Sequence, residues 1–436
     1  MEPSNPSTPE ALRNSVHARN VAGGIVGNVI EWYDFALFGF LAPVLSELFF
    51  PADDLLAGLI KTYGIFAAGY VMRPIGGVLF GHIGDRIGRK RALELSVAMM
   101  TLPTVALGLM PTEASIGVWA PVGLIALRLI QGLSVGGEVI GSMIFLGEIA
   151  PPGRRGLYCS GGGTGVILGM LLGSAAAAGL DGFLDRESLL AFGWRIPFLL
   201  GLVLGGLGIW IRMGMTETAV FELGQRARTP DRAPIVEILR HYRLLVFKLF
   251  TAMVLFAAAF YVIFIWVPVY LTQIMKPPET QALLFNTIAM LLLMGFLPMA
   301  GALSDRFGRR VILLLATLGF VVLSVPLFVG LHSGSWWVVL TVQIGFAYLM
   351  SFIQGTIPAT LVEMFATRVR YTGIALAYNI VFALFGGTAP LVCTWLMQQT
   401  GDPFSPAYYI VVLGVVSFAA TLSLRFPTST RINLRA

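Results

Sequence analysis

The sequence predicts an all-α membrane protein in which twelve transmembrane helices form two repeated six-helix bundles. Three observations carry that prediction: the composition, the spacing of the charges, and a pair of loop motifs that recurs. Apolar residues (AVILMFWYC) make up 56% of the 436-residue chain and charged residues 12%. That is about half the charge of a soluble domain, too little polar surface to coat a water-soluble globule. Collagen-like, disordered and disulfide-framework classes fail on the same numbers. The two cysteines, Cys159 and Cys393, lie far apart in apolar stretches and read as small buried residues.

A bilayer span needs roughly 20 apolar residues, because about 30 Å of hydrocarbon must be crossed at 1.5 Å per residue with every backbone polar group bonded internally. Residues 1–19 are polar, lack the basic n-region of a secretory signal, and are expected to remain as a tail. The first span, 20–49, the second, 55–82, and the fourth, 116–148, carry internal charges, and the third, 92–110, takes up most of the interval from Glu94 to Glu113. The fifth, 156–180, fills the 25 uncharged residues from Arg155 to Asp181, and the sixth, 193–213, brackets Arg195 to Arg212. A stretch rich in Arg, Glu and Pro, 214–242, reads as the linker between the bundles.

The second bundle follows the same logic. Its seventh span, 243–273, holds most of the 27 uncharged residues after Lys248, and its eighth, 279–303, the 25 after Glu279. Between Arg310 and Glu363 lie 52 uncharged residues, enough for spans 311–331 and 335–364 on either side of His332-Ser333-Gly334-Ser335. Spans 368–398 and 404–426 flank Asp402, and 427–436 form a tail. The bundles are thus expected at 20–213 and 243–426. With the N-terminus inside, 22 of the 29 Lys and Arg residues fall in cytoplasmic segments, so both termini are predicted cytoplasmic. The net charge of +6 is then topology and gives no reason to expect nucleic acid as a partner.

The motif pairs are Gly81-His-Ile-Gly-Asp85-Arg86-Ile-Gly88-Arg89-Lys90 with Gly301-Ala-Leu-Ser-Asp305-Arg306-Phe-Gly308-Arg309-Arg310, and Glu148…Arg154-Arg155 with Glu363…Arg368-Val-Arg370. Their offsets are 220 and 215 residues, the signature of an internal repeat. The loop motif, with Gly27-Asn28-Val-Ile-Glu31-Trp32-Tyr-Asp34-Phe35, Arg73-Pro74-Ile-Gly76-Gly77, Gln131-Gly132-Leu-Ser-Val-Gly136-Gly137-Glu138 and Trp194-Arg195-Ile-Pro197-Phe198, resembles the metabolite:proton symporter branch of the major facilitator superfamily. The resemblance implies bundles that rock around a central site in a bacterial inner membrane. It further implies cotransport of a proton with a small organic anion or zwitterion, one chain sufficing as a monomer and no cofactor being needed. Asp85 and Asp305 are placed to meet helix N-termini. Arg86, Arg89, Arg306 and Arg309 are placed to pair with Glu148 and Glu363 as a conformational latch.

Ionisable groups inside a bilayer face a cavity or pair with one another, and here they cluster in the first half. Asn28, Glu31 and Asp34 share one side of span one, and Gln131, Glu138 and Ser142 one side of span four, with Asn28 and Gln131 expected to contact the substrate. Asp34, then Glu31, then Glu138 is the expected order of candidates for the proton carrier. Arg73, about 18 Å along its helix from Asp85, is a candidate clamp for a substrate carboxylate or a permanent partner of Glu31 or Asp34. Arg128 joins it as a second cation, and either arginine is a candidate partner for Glu138. Tyr261, Trp266, Tyr270, Asn286, Gln354, Tyr378 and Asn379 are the second-half candidates, with Tyr378 and Asn379 favoured for substrate.

Other motifs do not hold. Gly161 to Gly173 is neither a Rossmann nor a Walker spacing and reads as helix packing. The four histidines lack metal-ligand spacing, and no catalytic constellation suggests an enzyme. The favoured reading is proton-coupled uptake of a small organic acid such as a di- or tricarboxylate. The alternative is a proline- or betaine-type osmolyte symporter, disfavoured by the short tail without heptads, and behind it a proton-driven efflux antiporter.

Overall fold

The computed structural model describes residues 9–50, 61–62, 64–65, 68–226, 234–271 and 279–426. Among the described residues ten helices are long and apolar enough to cross a membrane, and the pair His17–Phe40 and Ala42–Phe49, bent by 66°, makes an eleventh. The first half contains α1 (Pro9–Phe40), α2 (Ala42–Phe49), α3 (Arg73–Arg86), α4 (Arg89–Leu109), α5 (Trp119–Ile149), α6 (Arg155–Phe183) and α7 (Arg195–Met213). After α8 (Ala219–Arg226), the second half contains α9 (Arg243–Ala252), α10 (Val254–Tyr261), α11 (Glu279–Phe307), α12 (Arg309–Leu331), α13 (Trp336–Met364), α14 (Arg370–Val381), α15 (Ala389–Thr400) and α16 (Ser405–Ser423). The expected second span, 55–82, lies partly outside the described residues, and α3 is its described end.

Local chemistry sets the breaks. Pro43 near the start of α2 lacks an N–H and clashes with the preceding turn, which accounts for the bend after Phe40. Two π-helical turns, Val262–Trp266 and Phe382–Gly386, interrupt the seventh and eleventh spans. Gly88 and Gly308 occupy matching places in the two motif loops with φ of 137° and 90°, backbone that side chains disfavour. Within the expected linker, α8 spans Ala219–Arg226 and helix begins again at Pro234, running towards α9.

Small residues bring the helix axes together. A Cβ on Gly165 or Gly173 would press on the Ile25 or Tyr33 carbonyl of α1, so the glycine run of α6 is a packing groove. Likewise Gly132 and Gly136 let α5 touch the backbone at Gly69 and Arg73, which seats Arg73 deep in the bundle. Outward faces such as Leu202, Val203 and Leu207 of α7, or Leu315 and Val322 of α12, are apolar and exposed, as contact with hydrocarbon requires. Arg212, the charge at the end of the sixth span, ends α7 and is fully buried.

Candidate functional site

Four of the buried charges in the first half are consumed in two ion pairs. Asp34 on α1 takes Arg128 Nη1 at 2.7 Å on one oxygen and the Thr104 hydroxyl at 2.8 Å on the other, and Gln131 donates to that hydroxyl at 2.9 Å. The Arg128 guanidinium lies 3.7 Å from the centre of the Phe38 ring, a desolvated cation–π contact. Glu138 is gripped through both oxygens by Arg212, and Ser96 donates to it as well. Neither Arg128 nor Arg73, the expected candidates, pairs with Glu138. The end of α7 reaches it because Gly27 leaves open the space that the Glu138 and Arg212 side chains fill. Asn28 ties α1 to its neighbours, donating to Ser142 Oγ at 2.9 Å and the Gly162 carbonyl at 3.1 Å.

Glu31 differs from these. It is buried, yet neither carboxylate oxygen has a hydrogen-bond partner among the described residues. Arg73 is its strongest charged neighbour but forms no ion pair among the described residues, so a permanent partnership with Glu31 or Asp34 is not what the structure shows. Its Nε donates to Asn379 Oδ1 across the two halves at 3.4 Å, and Nη1 has no acceptor among the described residues.

Around Arg73 the walls are aromatic. Tyr70 and Phe382 lie 5.4 and 5.7 Å from its guanidinium. Tyr378 stacks on Phe382 at 4.3 Å, and Asn379 donates its amide to the Gly136 carbonyl at 2.8 Å. Trp32 meets Phe260 edge-on at 5.9 Å, and the Tyr261 hydroxyl donates to that of Tyr70 at 2.9 Å. Trp32, Phe35 and Tyr70 escaped the sequence reading as site residues, because an aromatic ring in an apolar span carries no signal of which way it faces. Trp266 and Tyr270 stack on each other at 4.9 Å away from Arg73's partners, and Tyr270 meets His332. Asn286 donates to the Phe264 carbonyl at 3.4 Å, and Gln354 faces Gly163 on α6.

At the arginine-rich end each motif aspartate binds a helix start in the other half. Asp85 accepts from the Tyr371 and Thr372 amides at 3.1 and 2.9 Å, the first turn of α14. Asp305 accepts from the Gly156 and Leu157 amides at 2.8 and 3.0 Å, the first turn of α6. Such positions favour a carboxylate through both orphan N–H groups and the helix dipole. Arg89 pairs with Asp85 at 2.9 Å and Glu148 at 3.4 Å, and Arg370 crosses to Glu148 at 2.7 Å. In the second motif Arg309 bridges Asp305 at 2.7 Å and Glu363 at 3.0 Å. Arg86 and Arg306 are exposed, while Arg89 is fully buried and Arg309 mostly so.

The Major Facilitator Superfamily sequence model matches residues 24–390. A putative proline/betaine transporter of Staphylococcus aureus (strain MSSA476) is 37% identical over 412 residues, covering 94% of this chain and 88% of that one. The proline/betaine transporter of Salmonella typhimurium is 32% identical over 415 residues, covering 93% and 83%. The structure of the proton:xylose symporter XylE bound to 6-bromo-6-deoxy-D-glucose superposes with a TM-score of 0.77 at 17% identity over 94% of this chain and 95% of that one. With the family model matching residues 24–390 and relatives at 37% and 32% identity over nearly the whole chain, the chain belongs to the Major Facilitator Superfamily of transporters and is not an enzyme.

Proposed function

We propose that the protein is a proton-coupled symporter of a small zwitterion of the proline or betaine type. The observation that carries this reading is Arg73, a buried guanidinium with no carboxylate partner among the described residues, walled by aromatic rings from both halves. One free guanidinium matches one carboxylate, and aromatic faces suit an onium group. A di- or tricarboxylate would press its further charges on rings, since Arg128 and Arg212 already hold Asp34 and Glu138. The names of the relatives favour the same class, against the weight placed earlier on the short tail.

Glu31 takes the place of Asp34 as the proposed proton carrier, Asp34 being held by Arg128 and Thr104. A substrate carboxylate on Arg73 neutralises the cation that favours ionised Glu31, and so favours its neutral, protonated form. Proton and substrate then bind cooperatively by linkage. The arginine-rich end is proposed to be cytoplasmic, by the charge bias. The Asp85 and Asp305 contacts would then lock that end in the outward-directed phase of a two-bundle cycle and release in the other.

The test is uptake of radiolabelled proline, glycine betaine, citrate, α-ketoglutarate, succinate and shikimate into proteoliposomes with and without an inward proton gradient. Accumulation of proline or betaine only with the gradient is expected. Accumulation of a carboxylate instead, or gradient-driven export, overturns the reading.

A further inference from the structure

Five buried rings close into a circuit beside Arg73. Trp32 meets Phe260 at 5.9 Å, Phe260 meets Tyr261 at 5.6 Å and Tyr261 meets Tyr70 at 6.2 Å. Tyr70 meets Phe35 at 5.5 Å, and Phe35 returns to Trp32 at 6.0 Å. Four of these contacts are edge-on, with planes 69° to 77° apart, and the fifth is tilted at 40°. Rings inclined in this way form walls rather than a stack. Trp32 and Phe35 stand three residues apart on one side of α1, Phe260 and Tyr261 end α10, and Tyr70 lies 5.4 Å from the Arg73 guanidinium.

The circuit also holds a donor in want of a partner. Trp32 Nε1 is buried and has no acceptor among the described residues. Buried N–H groups are normally paired, so this one is left for an oxygen that arrives with the solute.

Charge and hydration decide what such walls select. Ring faces attract a cation through their quadrupole but offer it no strong hydrogen-bond acceptor. An ammonium that carries N–H gives up its bonds to water on entering and leaves donors unpaired, which is costly. A fully N-methylated onium has no such bonds to lose. Arg73 adds a second criterion, because it repels a cation that brings no carboxylate to neutralise it. Arg128, 5.8 Å from Phe35, is already neutralised by Asp34, and Glu31 is neutral in the loaded state on the reading above.

We infer that the five-ring circuit is the receptor for a quaternary ammonium group, and that Trp32 and Phe260 set a preference for fully N-methylated amino acids over those bearing N–H. This rests on the reading of Arg73 as the carboxylate's receptor and narrows it.

The experiment is calorimetric titration of the detergent-purified protein with glycine, sarcosine, dimethylglycine, glycine betaine, choline and 3,3-dimethylbutyrate, the uncharged isostere of betaine. Affinity is expected to rise with each methyl group. Betaine should bind about 30-fold tighter than its isostere, the worth of a desolvated cation–π site, and choline at least about tenfold weaker than betaine. Phe260→Leu is expected to narrow the gap between betaine and the isostere while leaving the isostere's affinity near the parent's. Equal affinity for betaine and the isostere, or no gain from glycine to betaine, overturns the circuit as an onium site; both are read on the parent protein and need no variant to fold. Arg73→Lys in the same titration separates the two readings. It should weaken betaine and the isostere alike, and if it weakens neither, the carboxylate reading falls, whereas a flat methylation series with Arg73→Lys still weakening both overturns the circuit alone.

Discussion

Asp34 and Glu31 sit one turn apart on α1 and are held in opposite ways: Asp34 is locked by Arg128 at 2.7 Å, while among the described residues Glu31 has no hydrogen bond on either oxygen. Breaking a buried ion pair from one side leaves a charge uncompensated and costs about 3–5 kcal/mol. Asp34→Asn is therefore expected to lower the melting temperature in detergent sharply. Glu31→Gln, which breaks no bond, should melt close to the parent yet lose gradient-driven accumulation while retaining substrate exchange. Concentrative uptake by the Glu31→Gln variant would remove Glu31 from the proton's path.

Arg73→Lys keeps the charge and loses the planar fork. Loss of one charge-assisted hydrogen bond in the two-point contact should raise KM for the proposed zwitterion about 10- to 100-fold with a smaller effect on the maximal rate. An unchanged KM in initial-rate uptake would place the carboxylate elsewhere.

The Glu138–Arg212 pair is structural in this arrangement, bonded on all sides by Ser96, Gly23 and Leu93. Glu138→Ala should destabilise by about 3–5 kcal/mol, and the double variant Glu138→Ala, Arg212→Met should recover much of that, because two apolar residues leave no buried charge. Thermal unfolding followed by tryptophan fluorescence reads both, and a double variant no better than the single would show that the pair's role is not electrostatic.

Asp85→Asn removes a carboxylate from the start of α14 and its pairing with Arg89. A loss of about 1–2 kcal/mol from the locked end should raise labelling of Asn379→Cys from the arginine-rich side about 5- to 30-fold. A rate unaltered by the substitution would mean that Asp85 does not hold the halves together.

How legible each feature was depends on the range over which it acts. Charge-free intervals and the paired Asp85 and Asp305 loops are local in sequence, and they foretold the helices and the repeat. The partner of Glu138 was not legible, because Arg212 lies 74 residues away at a helix end that reads as one more loop cation. Nor was the direction of Trp32 or Tyr70, since in an all-apolar span the period that marks a buried face is missing.

By itself, then, the sequence determined that the chain must cross a membrane many times and that it repeats. The reason is that hydrocarbon demands uncharged helices of a set length whatever their neighbours. It also confined the ionisable groups within the bilayer largely to the first half. Only the tertiary structure decided which charges neutralise one another and which stay free, because ion pairs between helices depend on how closely glycine-lined backbones such as those at Gly27 and Gly136 approach. That choice leaves Arg73 and Glu31 without an ion-pair partner among the described residues, and it shifted the proposed solute from a polycarboxylate to a zwitterion.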